Sequence, residues 1–353
     1  MKVLSLLAMI FIIVFVCACT EQKKTVAKPL VIASGQMPAV AKDNSGKLHL
    51  VFGTGDSIMY SVSTDNGISF STPALIDVLP ELVASHTRGP QIAASDNGLT
   101  VIACNGPGNI FCYTKNDEGT WKAGVRVNDV DTVCKEGLMA LSADGQNTFA
   151  VWLDLRDKHN KIFGAISNNG GVSWLPNSLI YASPDSTVCE CCKPSVLVKG
   201  TNVYVMFRNW LNGNRDLYVM HSADAGNSFG QAQKLGNGSW ALNGCPMDGG
   251  AMAVDNNGNL QTVWRRERKI FLCEPGKPEI ELGEGKGCTM EVMGEKKVYA
   301  WTEKGEVICL LPGGKKELLG KGQQPVIKIM NDKQMICIWE DEKEIHRSIL
   351  QIL

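Results

Sequence analysis

Five cysteines occupy three short polar segments whose composition suits either disulfide pairing or metal binding. They are Cys134 in T-V-C-K-E-G, Cys189, Cys191 and Cys192 in C-E-C-C, and Cys245 in N-G-C-P-M-D-G. Thiolates bind soft ions such as Cu(I) or Zn(II), although this spacing matches no standard zinc finger. Within a strand, the adjacent Cys191 and Cys192 would point to opposite faces. Both interpretations stay open: a copper or zinc cofactor, or disulfides that lock the loops.

Arginines recur in a second group of segments. They suit a ligand with a carboxylate, to which a guanidinium group can donate two parallel hydrogen bonds. The candidate ligand-binding residues are Arg88, Arg208, Arg215, Arg266, Arg268 and Trp210, whose ring could stack on a sugar. The candidate catalytic residues are Asp56, Arg208 and Arg266. The segment D-L-R-D-K-H at 154–159 offers Asp154, Asp157 and His159 for acid–base chemistry, or for a surface salt-bridge loop.

A recurrent eight-residue turn indicates how these segments are held. S-T-D-N-G-I-S-F at 63–70 recurs as S-A-D-A-G-N-S-F at 222–229 and, with asparagine for aspartate, as S-N-N-G-G-V-S-W at 167–174; T-K-N-D-E-G-T-W at 114–121 is a degenerate copy. In such a turn, Ser and Asp side chains bond to backbone N–H groups and glycine takes a positive φ. The final aromatic residue can then pack inward. The predicted structural residues are Ser63, Asp65, Gly67, Phe70, Ser167, Asn169, Gly171, Trp174, Ser222, Asp224, Gly226 and Phe229.

Seven hairpin patterns run along the chain in phase with these turns. Each joins two short apolar runs through a polar turn, at 38–52, 90–104, 138–152, 194–208, 250–264, 288–301 and 325–339. Their spacing is close to the pitch of about 40–50 residues of a propeller blade. We therefore expect an all-β fold: one β-propeller of four-stranded blades over residues 29–353, with seven blades favoured and six as the alternative. The stretch 29–33 could supply the missing edge strand of blade seven and close the ring.

The turns resemble the Asp box (S-x-D-x-G-x-T-W/F) of the bacterial neuraminidase (BNR) repeats found in sialidase-like β-propellers. The resemblance implies that the box is structural and lies away from the active face. In a propeller, the loops that enter the inner strands and those that leave the inner hairpins crowd around the central channel on one face. The cysteine, arginine and carboxylate residues named above are expected to converge there.

The catalytic residues that the resemblance implies are three arginines, a Tyr–Glu nucleophile pair and an aspartate acid/base. Arg208 is similar to the second arginine, and one of Arg266 or Arg268 to the third. Asp56 lies near the expected acid/base, and Arg88 could substitute for the first arginine.

Three positions depart from the family pattern. Gln36 stands where the first arginine belongs, and Lys193 where the glutamate belongs. Cys288 and Thr289 stand where a tyrosine is expected. Without the Tyr–Glu pair the covalent route has no nucleophile, so an ordinary exo-sialidase is not predicted.

Residues 1–19 have the pattern of an export signal. Lys2 precedes a largely apolar run that ends V-C-A-C at 16–19. This ending resembles the lipobox of bacterial lipoproteins, so residues 1–18 are predicted to be the signal peptide and Cys19 the lipidated residue. Residues 19–28 would be the tether. The alternative is an uncleaved membrane helix, but the apolar run is at the short limit of about 17–25 residues for a membrane span. The predicted location is the bacterial cell envelope, on the outer membrane or the cell surface.

Composition bounds the partners and the redox state. The 353 residues carry a formal net charge of −1, and their Lys and Arg are scattered with no run that forms an obvious phosphate-tracking stripe, which argues against a nucleic-acid partner. Of the 13 cysteines, 11 would remain beyond Cys17 and Cys19. In an oxidising compartment disulfides are the default, but an odd number leaves at least one cysteine unpaired.

Three functional hypotheses follow from the sequence. The first is an envelope-anchored propeller that binds a glycan or another carboxylated ligand. The second is a divergent exo-sialidase or related glycoside hydrolase. The third is a metal-binding or redox accessory protein that uses the cysteines. Binding is ranked first, because the resemblance is strong in the scaffold and weak at the catalytic positions.

Overall fold

Seven four-stranded antiparallel sheets form a propeller in the computed structural model, which describes residues 29–115 and 119–352. Strand β1 (Leu30–Ser34) belongs to blade seven. Blade one contains β2 (Gln36–Lys42), β3 (Leu48–Thr54), β4 (Ser57–Ser63) and β5 (Ala74–Val78). Blade two contains β6 (Gln91–Ser95), β7 (Gly98–Cys104), β8 (Ile110–Lys115) and β9 (Val125–Arg126). Blade three contains β10 (Met139–Asp144), β11 (Asn147–Asp154), β12 (Lys161–Ser167) and β13 (Ser178–Tyr181).

The remaining blades follow the same order from the innermost strand outward. Blade four contains β14 (Ser195–Lys199), β15 (Asn202–Leu211), β16 (Asn214–Ser222) and β17 (Gln233–Lys234). Blade five contains β18 (Gly250–Val254), β19 (Leu260–Arg266), β20 (Lys269–Cys273) and β21 (Ile280–Glu284). Blade six contains β22 (Lys286–Met293), β23 (Lys296–Glu303), β24 (Glu306–Leu310) and β25 (Lys316–Lys321). Blade seven contains β26 (Gln323–Ile329), β27 (Gln334–Asp341) and β28 (Glu344–Gln351), completed by β1. A single 3-10 turn, Pro312–Gly314, is the only helical element in the described residues.

All seven predicted hairpins are the inner halves of blades, and the prediction of seven blades is confirmed. The inner pair of each blade is an antiparallel ladder, as in β10–β11, where Met139 pairs with Trp152. Near the end of the second strand, four blades bury a tryptophan between neighbouring sheets: Trp152, Trp264, Trp301 and Trp339, none more than 2% exposed. These large side chains fill the widening space between radial sheets.

The N-terminal strand closes the ring, as the sequence predicted. β1 pairs with β28 through Leu30–Arg347 to Ser34–Glu344, so blade seven takes its edge strand from the other end of the chain. Gly35 joins this outer strand to the innermost strand of blade one. A Cβ there would lie 2.3 Å from the Phe52 ring, so the crossing requires glycine. Closure removes the exposed edges that an open stack of sheets would leave.

The Ser-x-Asp-x-Gly turns have the predicted hydrogen bonds. In the first, Ser63 Oγ donates to Asp65 (2.7 Å) and accepts from Gly67 N (2.8 Å), while Asp65 accepts from Ser69 N (2.9 Å). The bonds from Ser69 and Ser63 lower the pKa of Asp65 to about 2. Asn169 replaces the aspartate without loss of geometry, since its Oδ1 accepts from Ser167 and from Ser173 N. Within the degenerate copy, residues 116–118 lie outside the described residues.

Each turn glycine also contacts the preceding blade. A Cβ on Gly67 would lie 2.5 Å from Ile336 of blade seven, and one on Gly226 would lie 2.4 Å from Phe149 of blade three. Phe229 packs edge-to-face on the same Phe149, with ring centroids 5.9 Å apart. The turns therefore hold neighbouring blades together, at the end of the propeller opposite to the starts of the inner strands.

No helix in the described part of the chain is long and apolar enough to cross a membrane. The predicted signal peptide, Cys19 and the tether lie outside the described residues.

Gly67→Ala is expected to destabilise the protein by about 1–3 kcal/mol, because it combines a left-handed φ of 79° with an inter-blade clash. Gly46→Ala is the matched control: Gly46 has a φ of 85° but no atom within 4 Å of an added Cβ. Urea denaturation of both variants measures the difference. Equal losses would show that the turn does not couple blades one and seven.

Candidate functional site

The entry face is the end of the propeller where the inner strands begin, and the central channel opens there. A cavity of about 150 Å³ lies at this opening. Its lining includes a residue near the start of the inner strand in five blades, namely Met37, Lys193, Gly249, Gly287 and Gln324. Segments far apart in sequence are thus brought to one axis, as the propeller prediction required.

Lys193 is the cation of this cavity. Its ammonium group donates to the amide oxygen of Gln91 at 2.8 Å. Burial lowers the pKa of Lys193 from 10.5 to about 8, because desolvation disfavours the charged form. The cavity's carboxylate, Asp248, is 1% exposed and pairs instead with Arg265 at 3.2 Å. Within the described residues, Lys193 has no carboxylate partner.

The cavity rim holds backbone in an unfavourable conformation. Met37, Thr87 and Gln324 all line the cavity, and their φ values are 54°, 73° and 54°. Non-glycine residues rarely adopt this left-handed region, and such strain concentrates at functional sites. The buried hydroxyl of Thr87 has no hydrogen-bond partner among the described residues. The rim therefore combines a cation, a spare hydroxyl and strained backbone.

Buried carboxylates fix the rim from behind. Asp248 Oδ1 accepts from Gly249 N at 2.8 Å and from Gly287 N of blade six at 3.1 Å. Glu340 of blade seven accepts from Met37 N of blade one at 2.8 Å. In both cases, a carboxylate of one blade orients a backbone amide near the start of the next blade's inner strand.

The three cysteines of C-E-C-C and Cys245 lie together beside this rim. Cys191 and Cys245 form a disulfide that joins the entry loops of blades four and five. Cys189 Sγ lies 3.2 Å from Cys192 Sγ and 3.8 Å from Cys191 Sγ. The segment is a turn and not a strand, which explains how adjacent Cys191 and Cys192 can face the same cluster.

The cluster lies in a positive environment. Arg215 Nη1 donates to Cys189 Sγ at 3.0 Å. The hydrogen bond with Cys192 and the charges of Arg215 and Arg208 lower the pKa of Cys189 to about 6. Burial and the hydrogen bond to Cys189 raise the pKa of Cys192 well above its usual range. Cys189 is therefore the more acidic of the two thiols.

The sulfur atoms of Cys189, Cys191 and Cys192 all lie within 4.8 Å of one another, close enough to share a metal ion. However, the disulfide removes Cys191 from the ligand set, and Arg215 occupies Cys189. Cys134 is not part of the group: it is buried beside Cys104, in the packing between blades two and three. A copper or zinc cofactor stays a prediction.

The remaining cysteines are buried thiols. Nine cysteines of the described residues are unpaired, which satisfies the odd count in the sequence. Cys112, Cys273, Cys309 and Cys337, predicted to be core thiols, are each no more than 1% exposed.

Arg208 faces inward and joins two blades. It is 2% exposed, and its guanidinium donates to the carbonyl of Arg215 and to that of Arg265, each at 2.8 Å. Its charge also lies over the ring of Trp240, at 5.2 Å from the centroid. In this structure Arg208 supports the blade-four/blade-five junction, and its predicted ligand-binding or catalytic role stays a prediction.

The other predicted arginines are spread over the entry face and the blade sides. Arg215 stacks on Trp210 at 4.1 Å, so these two candidates contact each other. Arg88 pairs with Glu136 at 3.4 Å, and Arg266 pairs with Glu279 at 2.7 Å. The structure does not gather them around one ligand-sized space. Their ligand-binding roles stay predictions.

Two exposed candidates lie in turns of the entry face. Asp56 follows β3 and Arg268 follows β19, and both side chains are exposed. Arg268 borders a groove of about 370 Å³ between blades five and six. Neither approaches the channel lining.

The segment 154–159 contains a salt-bridge network. Arg156 pairs with the fully buried Asp154 at 2.9 Å and with Asp129 at 3.2 Å. Trp152 Nε1 also donates to Asp154. Asp157 pairs with Lys161, and His159 is exposed. This arrangement matches the salt-bridge alternative.

Sequence reasoning did not select Lys193 or Gln91 as binding residues. A signal was available, because four inner strands begin with a residue followed by proline: Met37–Pro38, Gly89–Pro90, Lys193–Pro194 and Gln324–Pro325. When these four pairs are aligned, Lys193 is the one charged residue at the position before the proline.

The sheet topology defines the protein as a seven-bladed β-propeller, which confirms the architecture expected from the Asp-box resemblance. The chain is similar in structure to the BP39L lectin from Burkholderia pseudomallei, with a TM-score of 0.64 and 10% identity over 91% of this chain and 97% of the lectin. It is also similar to the α-L-arabinanase of Penicillium chrysogenum complexed with arabinobiose, with a TM-score of 0.55 and 12% identity over 93% and 99% of the two chains. NanB sialidase from Streptococcus pneumoniae has a TM-score of 0.45 and 13% identity, over 93% and 70%. At these identities the likeness is one of fold.

No protein-family profile matches the chain, and no curated protein matches it in sequence.

Arg208→Met is expected to destabilise the protein by about 2–4 kcal/mol, because it leaves two buried carbonyls without their charged donor. The control is Arg268→Met, an exposed arginine of the same face, for which a change below about 0.5 kcal/mol is expected. Urea denaturation compares them. A stable Arg208→Met variant would mean that the guanidinium does not hold the junction.

Proposed function

We propose that this propeller binds a small carboxylated ligand, such as a sugar acid or the acidic end of a glycan, at the channel opening of the entry face. The observation that carries the proposal is Lys193. It is a cation whose partner in the described residues is a neutral amide, and it lies in a cavity on the propeller axis. A desolvated charge without a counter-charge is unfavourable, and a bound carboxylate would supply the missing partner.

The cavity fits one carboxylate and its nearest carbon atoms. Its volume of about 150 Å³ is too small for a disaccharide, so the rest of a glycan would extend from the opening over the entry face. Gln91 and the spare hydroxyl of Thr87 are the neutral hydrogen-bonding groups of the lining. This arrangement supports binding and orientation, since the carboxylate of the lining, Asp248, is paired with Arg265.

The similar lectin and arabinanase structures support a sugar as the ligand class, although the likeness to them is one of fold.

The test compares galacturonate with galactose, which differ at one carbon in having a carboxylate. Titration calorimetry at low salt should show that the wild type binds galacturonate more tightly than galactose. Lys193→Met should weaken galacturonate binding by about tenfold or more, the usual effect of losing a charged hydrogen bond. Lys333→Met is the control, because Lys333 is exposed at the other end of the propeller. Equal binding of both sugars, or unchanged affinity in Lys193→Met, would contradict the proposal.

The same variant should change the pH dependence of stability. Since the pKa of Lys193 is about 8 when folded and 10.5 when unfolded, the unfolded chain binds more protons between these values. Wild-type stability should therefore gain from Lys193 as pH rises from 8 to 10.5, while the full penalty applies below pH 8. Lys193→Met removes that penalty and should be more stable at pH 7. Urea denaturation of the wild type and of Lys193→Met across this pH range measures the effect. Because both proteins contain the same thiols, the difference in stability between them reports Lys193.

The proposed location is the bacterial cell envelope, with the membrane as partner through lipid on Cys19. Its support is the sequence of residues 1–19, with Lys2 before an apolar run that ends V-C-A-C. Metabolic labelling with a fatty acid should modify the wild type but not Cys19→Ser. Labelling of both, or of neither, would count against lipidation at Cys19.

A further inference from the structure

We propose that Cys189, Cys191, Cys192 and Cys245 form a thiol–disulfide exchange site. The site would pass two electrons between a buried dithiol, Cys189 with Cys192, and a disulfide, Cys191–Cys245, that reaches the surface. This activity is separate from carboxylate binding and does not depend on it.

The four sulfur atoms are already assembled for exchange. Cys189 Sγ is 3.2 Å from Cys192 Sγ, its partner in the dithiol. It is also 3.8 Å from Cys191 Sγ, one of the two sulfurs of the disulfide. Attack on the disulfide therefore needs little movement, because the reacting sulfurs are near van der Waals contact.

The surroundings of Cys189 activate it as the nucleophile. A thiolate, not a thiol, attacks a disulfide. Arg215 donates a hydrogen bond to Cys189 Sγ at 3.0 Å, and Cys192 Sγ lies 3.2 Å from the same sulfur atom. The hydrogen bond with Cys192 and the charges of Arg215 and Arg208 lower the pKa of Cys189 to about 6, which favours its thiolate form. Arg215 is itself held against Trp210, so this donor is fixed in place.

Exposure separates the inner sulfurs from the outer one. Cys189, Cys191 and Cys192 are 1%, 7% and 2% exposed, whereas Cys245 is an exposed residue of a loop. An external thiol or disulfide can therefore reach Cys245 but not the other three. This arrangement distinguishes the site from a disulfide that is buried at both ends.

The exchange balances within the protein. The Cys189 thiolate attacks Cys191 Sγ, the Cys191–Cys245 bond breaks, and Cys245 leaves as the thiolate. The Cys192 thiol loses its proton to solvent and attacks Cys189 Sγ, which releases Cys191 as the thiolate. Cys189 and Cys192 are now oxidised to a disulfide, and Cys191 and Cys245 are reduced. No external oxidant is consumed.

The substrate class is a partner with an accessible disulfide. Cys245 as thiolate attacks one partner sulfur and forms a mixed disulfide, and the other partner sulfur leaves as a thiolate. Cys191 then attacks Cys245 Sγ, which restores the Cys191–Cys245 bond and releases the partner's second thiolate. Two electrons have moved from Cys189 and Cys192 to the partner. The reverse sequence oxidises a partner dithiol.

The charge around the cluster favours exchange over metal binding. Arg215 and Arg208 both lie close enough to stabilise the Cys189 thiolate, and the same positive charge opposes a metal cation. In addition, a metal site of four thiolates would require the Cys191–Cys245 bond to be reduced.

The experiment is alkylation without reductant. The purified full-length protein is incubated with iodoacetamide at pH 7, and its peptides are mapped by mass spectrometry. If exchange occurs, Cys245 becomes a free exposed thiol and is trapped. We expect Cys245 to be alkylated, in equal amount with a new disulfide inside the 189–192 peptide. Trapping in Cys189→Ala should be at least about tenfold slower, because the attacking thiolate is absent.

Two further variants separate exchange from damage to the fold. Arg215→Met keeps all four cysteines but removes the donor to Cys189. Its trapping at pH 7 should be about tenfold slower and should recover by pH 9, where the thiolate forms without help. Cys337→Ala removes a buried cysteine of blade seven and should leave the trapping rate unchanged.

Two outcomes would overturn the proposal. In the first, wild-type Cys245 stays unmodified and joined to Cys191, which would make the disulfide a simple lock between two loops. In the second, elemental analysis of untagged protein finds one copper or zinc ion per chain, with the four cysteines unpaired and protected from alkylation.

Discussion

The packing of seven innermost strands side by side around one axis is the constraint on which the site depends. Neighbouring blades are held together by buried tryptophans in four of the sheets and by the glycine turns at the far end. Once the ring is closed, the neighbours of the residues near the starts of the inner strands are fixed. Residues 37, 193, 249, 287 and 324 therefore surround one cavity although almost 290 residues separate the first from the last.

One short segment serves both proposed activities. Cys192 belongs to the sulfur cluster, and the next residue, Lys193, lines the channel. The backbone N–H of Lys193 donates to the carbonyl of Asp248, three residues after Cys245. The entry loops of blades four and five are thus joined twice, once by a disulfide and once by this hydrogen bond. The two sites are chemically distinct but share a backbone support.

The sequence predicted the scaffold better than the site, for a physical reason. Alternating apolar runs, turn residues and repeat spacing are local features, and they set the hairpins, the blade count and the closing strand. Side-chain direction is not local. Arg208 lies in the expected hairpin, yet its guanidinium points to two backbone carbonyls, because the neighbouring strand and blade present them there. Cys134 enters a blade as Cys189 does, but it packs with Cys104 in a separate core.

The closing strand has a mechanical consequence. The polypeptide ahead of Pro29 leads directly into β1, which is hydrogen-bonded to the ring along one edge, where four residue pairs align it with β28. Tension on that polypeptide would load these pairs first, and Gly35 would pass the remainder to the innermost strand of blade one. The force would reach the six other sheets only through their contacts with neighbouring blades. A stretched N-terminus would therefore act on ring closure itself, at the one blade assembled from both ends of the chain.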